Sequence, residues 1–169
     1  QLTAKIFVYC LPSAVCRQLC LQEANYMSQW DSIEEIASKV ARGETTAFDL
    51  VSRALKTIEA KKEFNAVIAT VEKRAIERAK DIDQKVARGE KVGRLAGVPF
   101  IAEDNFLTFG GETTAASNIL KGFNAPYQAT AINKLEAEGA IVVAKANLDA
   151  FAHGSSTENS YYMTTTNPH

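Results

Sequence analysis

Gly97-Val98-Pro99-Phe100-Ile101-Ala102-Glu103-Asp104-Asn105 is an apolar run of strand length that stops abruptly at two acids and an amide. Its reading as a strand over 98–102, with Pro99 near the start, decides the rest. Downstream, 129–138 has a helical pattern closed by Gly139, and 140–144 is a second apolar run. Strand, helix, strand is the unit of a parallel sheet. In such sheets ligands gather at the carboxyl ends of the strands, on polar, glycine-rich segments. Two segments of that kind are present: Gly110-Gly111-Glu112-Thr113-Thr114-Ala115-Ala116-Ser117, and a longer one from Asn147 through His153-Gly154-Ser155-Ser156-Thr157-Glu158-Asn159-Ser160.

Upstream of Gly93 the chain reads as helices. Ser32 and Glu35 have capping-box spacing before an apolar face of Ile33, Ile36, Ala37 and Val40. Thr46 and Asp49 open a second helix with Leu50, Val51, Ala54, Leu55 and Ile58 as its stripe. Residues 65–70 read as extended, and 71–88 as a charged third helix with Ala75, Ile76, Ala79, Ile82 and Val86 at helical spacing. Lys-Val-Ala-Arg-Gly-Glu occurs at Lys39 and again at Lys85. Each copy ends a helix at a glycine, which implies one stop chemistry used twice rather than a solenoid repeat.

The 169 residues carry a net charge of −1 with both signs interspersed, so nothing marks a nucleic-acid groove or a membrane surface. No apolar run approaches the roughly 18 residues of a spanning helix. Cys10, Cys16 and Cys20 all precede Tyr26, a distribution that fits neither a disulfide framework nor a zinc site. Residues 1–26 differ in character from the remainder of the chain. We expect Met27 to be the natural start, with 1–26 a non-native or upstream extension, 27–92 a helical region and 93–169 the start of an α/β core.

Taken residue by residue, the candidate chemistry competes with simpler roles. Glu103 and Asp104 are adjacent on a strand and point to opposite faces, so they are poorly placed to act as a pair. His153 next to Ser155 and Ser156 suggests nucleophilic catalysis, but neighbours in sequence rarely meet in triad geometry. Lys145 ends the second strand, where a desolvated lysine would serve as a base or phosphate ligand; a solvated lysine is the expectation. No Walker or Gly-x-Gly-x-x-Gly pattern occurs.

Several ordered segments resemble the amidase signature family. They are Gly93-Arg94-Leu95-Ala96-Gly97-Val98-Pro99, Asp104-Asn105, Thr113 to Leu120, Pro126-Tyr127-Gln128-Ala129-Thr130, Leu135 to Ala140, Lys145 to Asp149, Gly154 to Ser160 and Thr166-Asn167-Pro168. The Gly-Ser-Ser-Thr-Glu-Asn-Ser segment is most similar to the glutaminase subunits of tRNA-dependent amidotransferases. The resemblance implies an α/β fold, with N-terminal helices followed by the first part of a mixed, helix-covered sheet. It implies a Ser-(cis)Ser-Lys triad in which a neutral lysine takes a proton through a bridging serine and a second serine attacks an amide. It also implies that His153, Gly154 and Ser155 line the substrate pocket through their backbone, and that the nearby hydroxyls hold the turn. Glutamine is the implied substrate. Subunits B and C are the implied partners, mischarged Glu-tRNA or Asp-tRNA is reached through the complex, ATP and magnesium sit at a partner subunit, and the location is cytoplasmic, of bacterial or organellar type. No metal or cofactor is expected on this chain.

One position departs from the pattern. The family's lysine directly precedes the Asp-Asn pair, and here that residue is Glu103. A carboxylate beside a developing alkoxide opposes the reaction. The resemblance also puts both catalytic serines beyond position 169. The chain alone is therefore expected to be inactive, and an incomplete sheet is expected to leave open edges, exposed apolar surface and poor solubility. A non-catalytic binding fragment and part of a stand-alone amidase are the competing expectations.

Overall fold

The structure, a computed structural model, describes residues 30–167. The chain divides into two units, 1–32 and 33–169, and the architecture below is that of the second. The expectations for 1–26 and for Met27 fall outside the described residues.

Three helices come first: α1 (Ile33–Ala41), α2 (Ala47–Ala60) and, after a short extended segment, α3 (Glu72–Ala87). Their apolar stripes lie where helical spacing put them. Ile36, Ala37 and Val40 are buried on α1, Val51 on α2, and Ala75, Ala79 and Ile82 on α3. Ile33, expected on the α1 face, is the helix's first residue and stays 57% exposed.

The repeated hexapeptide does stop two helices in the same way. Gly43 N donates to Val40 O and Glu44 N to Lys39 O, while Gly89 N donates to Val86 O and Glu90 N to Lys85 O. Both glycines have positive φ, the left-handed turn of a Schellman cap. In each copy the arginine then pairs with the glutamate two residues on, at 2.5 Å.

At the start of α2, Thr46 Oγ1 accepts from Asp49 N, as capping chemistry requires. Two further amides at that end, Ala47 N and Phe48 N, donate to the Asp83 carboxylate on α3 at 2.7 and 3.1 Å. This long-range cap ties α2 to α3.

The sheet has three strands, β1 (Val67–Thr70), β2 (Pro99–Glu103) and β3 (Ile141–Ala146), in the order β1-β3-β2. β1 pairs antiparallel with β3, and β2 pairs parallel with it. The parallel pair needs a crossover, supplied by 104–129 and α4 (Thr130–Ala137). This is the mixed, helix-covered sheet that the resemblance implies. The central strand is apolar because it is covered on both faces: Ile141 and Val143 pack with α1, α2 and α3, and Val142 packs with Phe100, Ala102 and Ile132. The outer strands β1 and β2 are only partly covered, and Ile101 on β2 is 46% exposed.

The segment from Gly93 to Gly97 wraps the end of α4, with Leu95 N on Glu138 O at 2.7 Å and Gly97 N on Gly139 O at 3.0 Å. Gly139 sits at φ +92°, and a Cβ there would lie 2.8 Å from Ala96 Cα. Backbone passes too close for any side chain.

Candidate functional site

β2 and β3 run parallel, so their carboxyl ends lie together, with Glu103 paired opposite Ala146. Two loops gather at this end: 104–117 after β2, and 147–160 after β3. As strand alternation predicts, Glu103 and Asp104 part company. Glu103 is exposed, and Asp104 is 1% exposed. The two carboxylates do not form a pair.

Lys145 overturns its expectation. It is fully buried, and the face it takes is set by one extra residue that β3 carries against β2. Phe100 pairs with Val142 and Ile101 with Ala144, which leaves Val143 as a bulge. A bulge shifts strand alternation by one. Ile141, Val143 and Ala144 therefore all join the helix-side cluster, and Lys145 turns to the face of its neighbour Ala102. There Nζ donates to Phe106 O at 2.6 Å, Thr108 Oγ1 at 3.1 Å and Thr113 Oγ1 at 3.3 Å. Asp104 Oδ1 lies 3.3 Å away. Burial pushes the Lys145 ammonium below its ordinary value, and the Asp104 charge opposes that. With its three donors used and no surface exposed, Lys145 is an anchor rather than a base for a substrate.

Asp104 in turn organises the first loop. Its Oδ2 accepts from Thr114 N at 2.9 Å and Thr114 Oγ1 at 2.5 Å, and its carbonyl accepts from Ala115 N at 3.1 Å. Ala115 and Ala116 are both left-handed, φ 48° and 52°. The second loop is held by Asp149 and Asn147. Asp149 Oδ2 accepts from Ser156 N and Thr157 N at 2.8 and 3.0 Å, and these amides, Thr157 first, hold its carboxyl below the ordinary value. Asn147 Oδ1 accepts from Ser160 Oγ at 2.7 Å. Gly154 is required by close approach: a Cβ would stand 2.6 Å from Asp149 Cγ.

His153, Gly154 and Ser155 lie together on this loop, all exposed. His153 takes part through its backbone, donating to Ala150 O at 3.3 Å. The hydroxyls that hold the turn are those of Ser156, Thr157 and Ser160; Ser155 contributes none. A hollow of 280 Å³ opens nearby between Asn65, Val67, Ile68, Asn147, Tyr162 and Met163, and it touches neither Glu103 nor 153–155.

Among the described residues, no group of three or more His, Cys, Asp or Glu could hold a metal ion. No described helix is long and apolar enough to cross a membrane. The residues missed from sequence were Asp104 and Lys145 as a buried pair, with Thr108, Thr113 and Thr114 as its partners. The Thr113-Thr114 doublet was a faint signal; the bulge that sets the face of Lys145 left none.

Parallel strand ends, a crossover helix and two polar loops at one end form the kind of place where open α/β sheets hold ligands. The family profile described as Amidase matches residues 49–169, and the chain belongs to that family. It is 44% identical over 138 residues to a glutamyl-tRNA(Gln) amidotransferase A-chain subunit of Clostridium acetobutylicum, the second of that name, with the alignment covering 81% of this chain and 29% of that protein. Among solved structures, one from a vestigial protein complex that reveals the origins of an s-triazine catabolic enzyme superposes with TM-score 0.75 at 38% identity, covering 79% of this chain and 30% of that one. A bacterial aryl acylamidase of the amidase signature family superposes with TM-score 0.73 at 26% identity, covering 82% of this chain and 29% of that enzyme. The chain thus spans less than a third of the length of the relatives it matches.

Proposed function

We infer that this chain is part of a glutaminase of the tRNA-dependent amidotransferase type, and that by itself it does not hydrolyse glutamine. The observation that carries the second half is Glu103. It stands at the carboxyl end of β2 as an exposed carboxylate, where the resemblance puts the family's lysine. A neutral amine there would accept a proton from the bridging serine. A carboxylate would instead set negative charge beside the forming oxyanion. Losing a positioned base costs on the order of 10²- to 10⁴-fold.

The first half is supported by the 44% identity to the clostridial amidotransferase chain and by the order of the matching segments. On this reading His153, Gly154 and Ser155 border the glutamine pocket. Subunits B and C receive the ammonia, and ATP and magnesium act on the partner side with mischarged Glu-tRNA or Asp-tRNA. The setting is cytoplasmic. Two other readings have an observation each. Glu103 also suits a non-catalytic binding scaffold, and the likeness to an aryl acylamidase suits an amidase that works alone.

The deciding experiment is a chimaera in which residues 31–167 replace the matching part of the Clostridium acetobutylicum protein, assayed with its subunits B and C for ammonia released from glutamine. With Glu103 the chimaera should be silent or slowed by at least about 100-fold, and Glu103→Lys should restore release. Equal activity with Glu103 and with Lys would overturn the inference about position 103. Amide turnover without partner subunits or tRNA would favour the stand-alone amidase.

A further inference from the structure

We propose that the buried Lys145–Asp104 pair is the positioning element that couples the carboxyl end of β2 to the loop after β3, locking two left-handed turns between them. The bearing of this on catalysis rests on the amidase reading, because position 103 and residues 153–155 are what the coupling would align; the physical coupling itself does not.

The path runs through named bonds. Asp104 follows Glu103, and its N donates to Ala146 O at 3.2 Å across the two strand ends. Its carboxylate and carbonyl hold Thr114 and Ala115. The carbonyls of Ala115 and Ala116 then accept from Phe151 N and Tyr161 N, both at 2.9 Å. Phe151 and Ala152 are themselves left-handed, φ 57° and 60°. Four non-glycine residues thus sit in a conformation that L side chains avoid. Such backbone persists only where its surroundings over-determine it, and here the constraint traces back to Asp104, through its carbonyl and its carboxylate.

That carboxylate depends on Lys145. Asp104 Oδ1 is buried and receives no hydrogen bond from any described residue, leaving the ammonium at 3.3 Å as its compensation. Lys145 also pins the far side of the first loop through Phe106, Thr108 and Thr113. Without the ammonium, Asp104 would be a buried, uncompensated charge, and the cheapest relief is to open the loop it holds. The core strand packs on separate apolar contacts, so opening should stay local.

The test is residue-resolved amide hydrogen exchange on the whole chain. Lys145→Met keeps the length of the side chain and removes its charge. It should speed exchange at Thr114, Ala115, Phe151 and Tyr161 together, by roughly tenfold or more, while amides of β3 change little. Adding Asp104→Asn removes the stranded charge and should restore most of the protection, a rescue that a packing role would not give. If the four amides are unchanged, if they accelerate in step with β3, or if the double variant is worse than the single, the proposal falls. Should neither variant fold, native-state exchange of the unsubstituted chain in rising denaturant decides: the four amides must open as one unit, and separate openings refute the coupling. None of these readouts needs glutamine, so they stand or fall apart from the assignment of activity.

Discussion

Glu136 on α4 is 6% exposed and grips the side chains of two other segments. Arg74 of α3 meets it through two nitrogens, at 2.5 and 2.7 Å. Gln128 donates to it at 2.7 Å, and Arg78 Nε lies 3.5 Å from it and donates to its backbone carbonyl through Nη2. Glu136→Ala would strand Arg74, whose side chain is only 19% exposed, and Arg78 Nε, which is already buried without a hydrogen bond. Breaking a buried pair by removing one partner costs about 3–5 kcal/mol, a large part of the roughly 5–15 kcal/mol that holds a typical domain together. For a chain of this size the melting temperature should fall on the order of 10–20 °C, followed by far-UV circular dichroism at pH 7 with a urea titration alongside. A loss below about 1 kcal/mol would refute the reasoning and place the network on effectively solvated ground. The same residue sets a pH dependence. Burial pushes its carboxyl up, but hydrogen bonds from Arg74 and Gln128 and the charges of Arg78 and Arg74 outweigh that, leaving it below its ordinary value. A carboxyl depressed by folding stabilises fully above its unfolded value and loses that contribution as pH falls through the folded one. Stability should therefore drop below about pH 4.5, and Glu136→Gln should flatten that part of the profile.

Two further substitutions test the packing and the sheet edge. Gly139→Ala places a Cβ 2.8 Å from the Ala96 backbone at φ +92°, so it should cost about 1–3 kcal/mol in urea denaturation; a change under about 0.5 kcal/mol would mean the Gly93–Gly97 wrap yields freely. Ile101→Lys acts on an outer strand at a residue 46% exposed, where a charge blunts edge pairing. It should raise the soluble fraction on expression with stability within about 0.5 kcal/mol, and unchanged aggregation would locate the sticky surface elsewhere.

Much of the fold could be read from short-range chemistry. Helical spacing placed the buried stripes of α1, α2 and α3, and the glycine after each Lys-Val-Ala-Arg marked the stops, because a left-handed C-cap is a demand made by a few adjacent residues. Strand alternation separated exposed Glu103 from buried Asp104 for the same local reason. The candidate site was less legible. The resemblance singled out Glu103 and 153–155, whereas the groups that build the strand ends, Lys145, Thr108, Thr113 and Asp149, were passed over or expected to be solvated.

The sequence by itself therefore determined the elements, their order, their ends and the family to which they belong. Tertiary structure alone decided where three charges went. Asp83 caps the start of a helix 35 and 36 residues away in sequence, Glu136 bridges to an arginine 62 residues away, and the face that Lys145 takes is set by a bulge that appears only when β3 is laid against β2. Hydrophobic period and capping depend on neighbours in the chain, so they are written locally. The fate of a charge depends on which partners and how much water surround it after folding, and no window of sequence contains those.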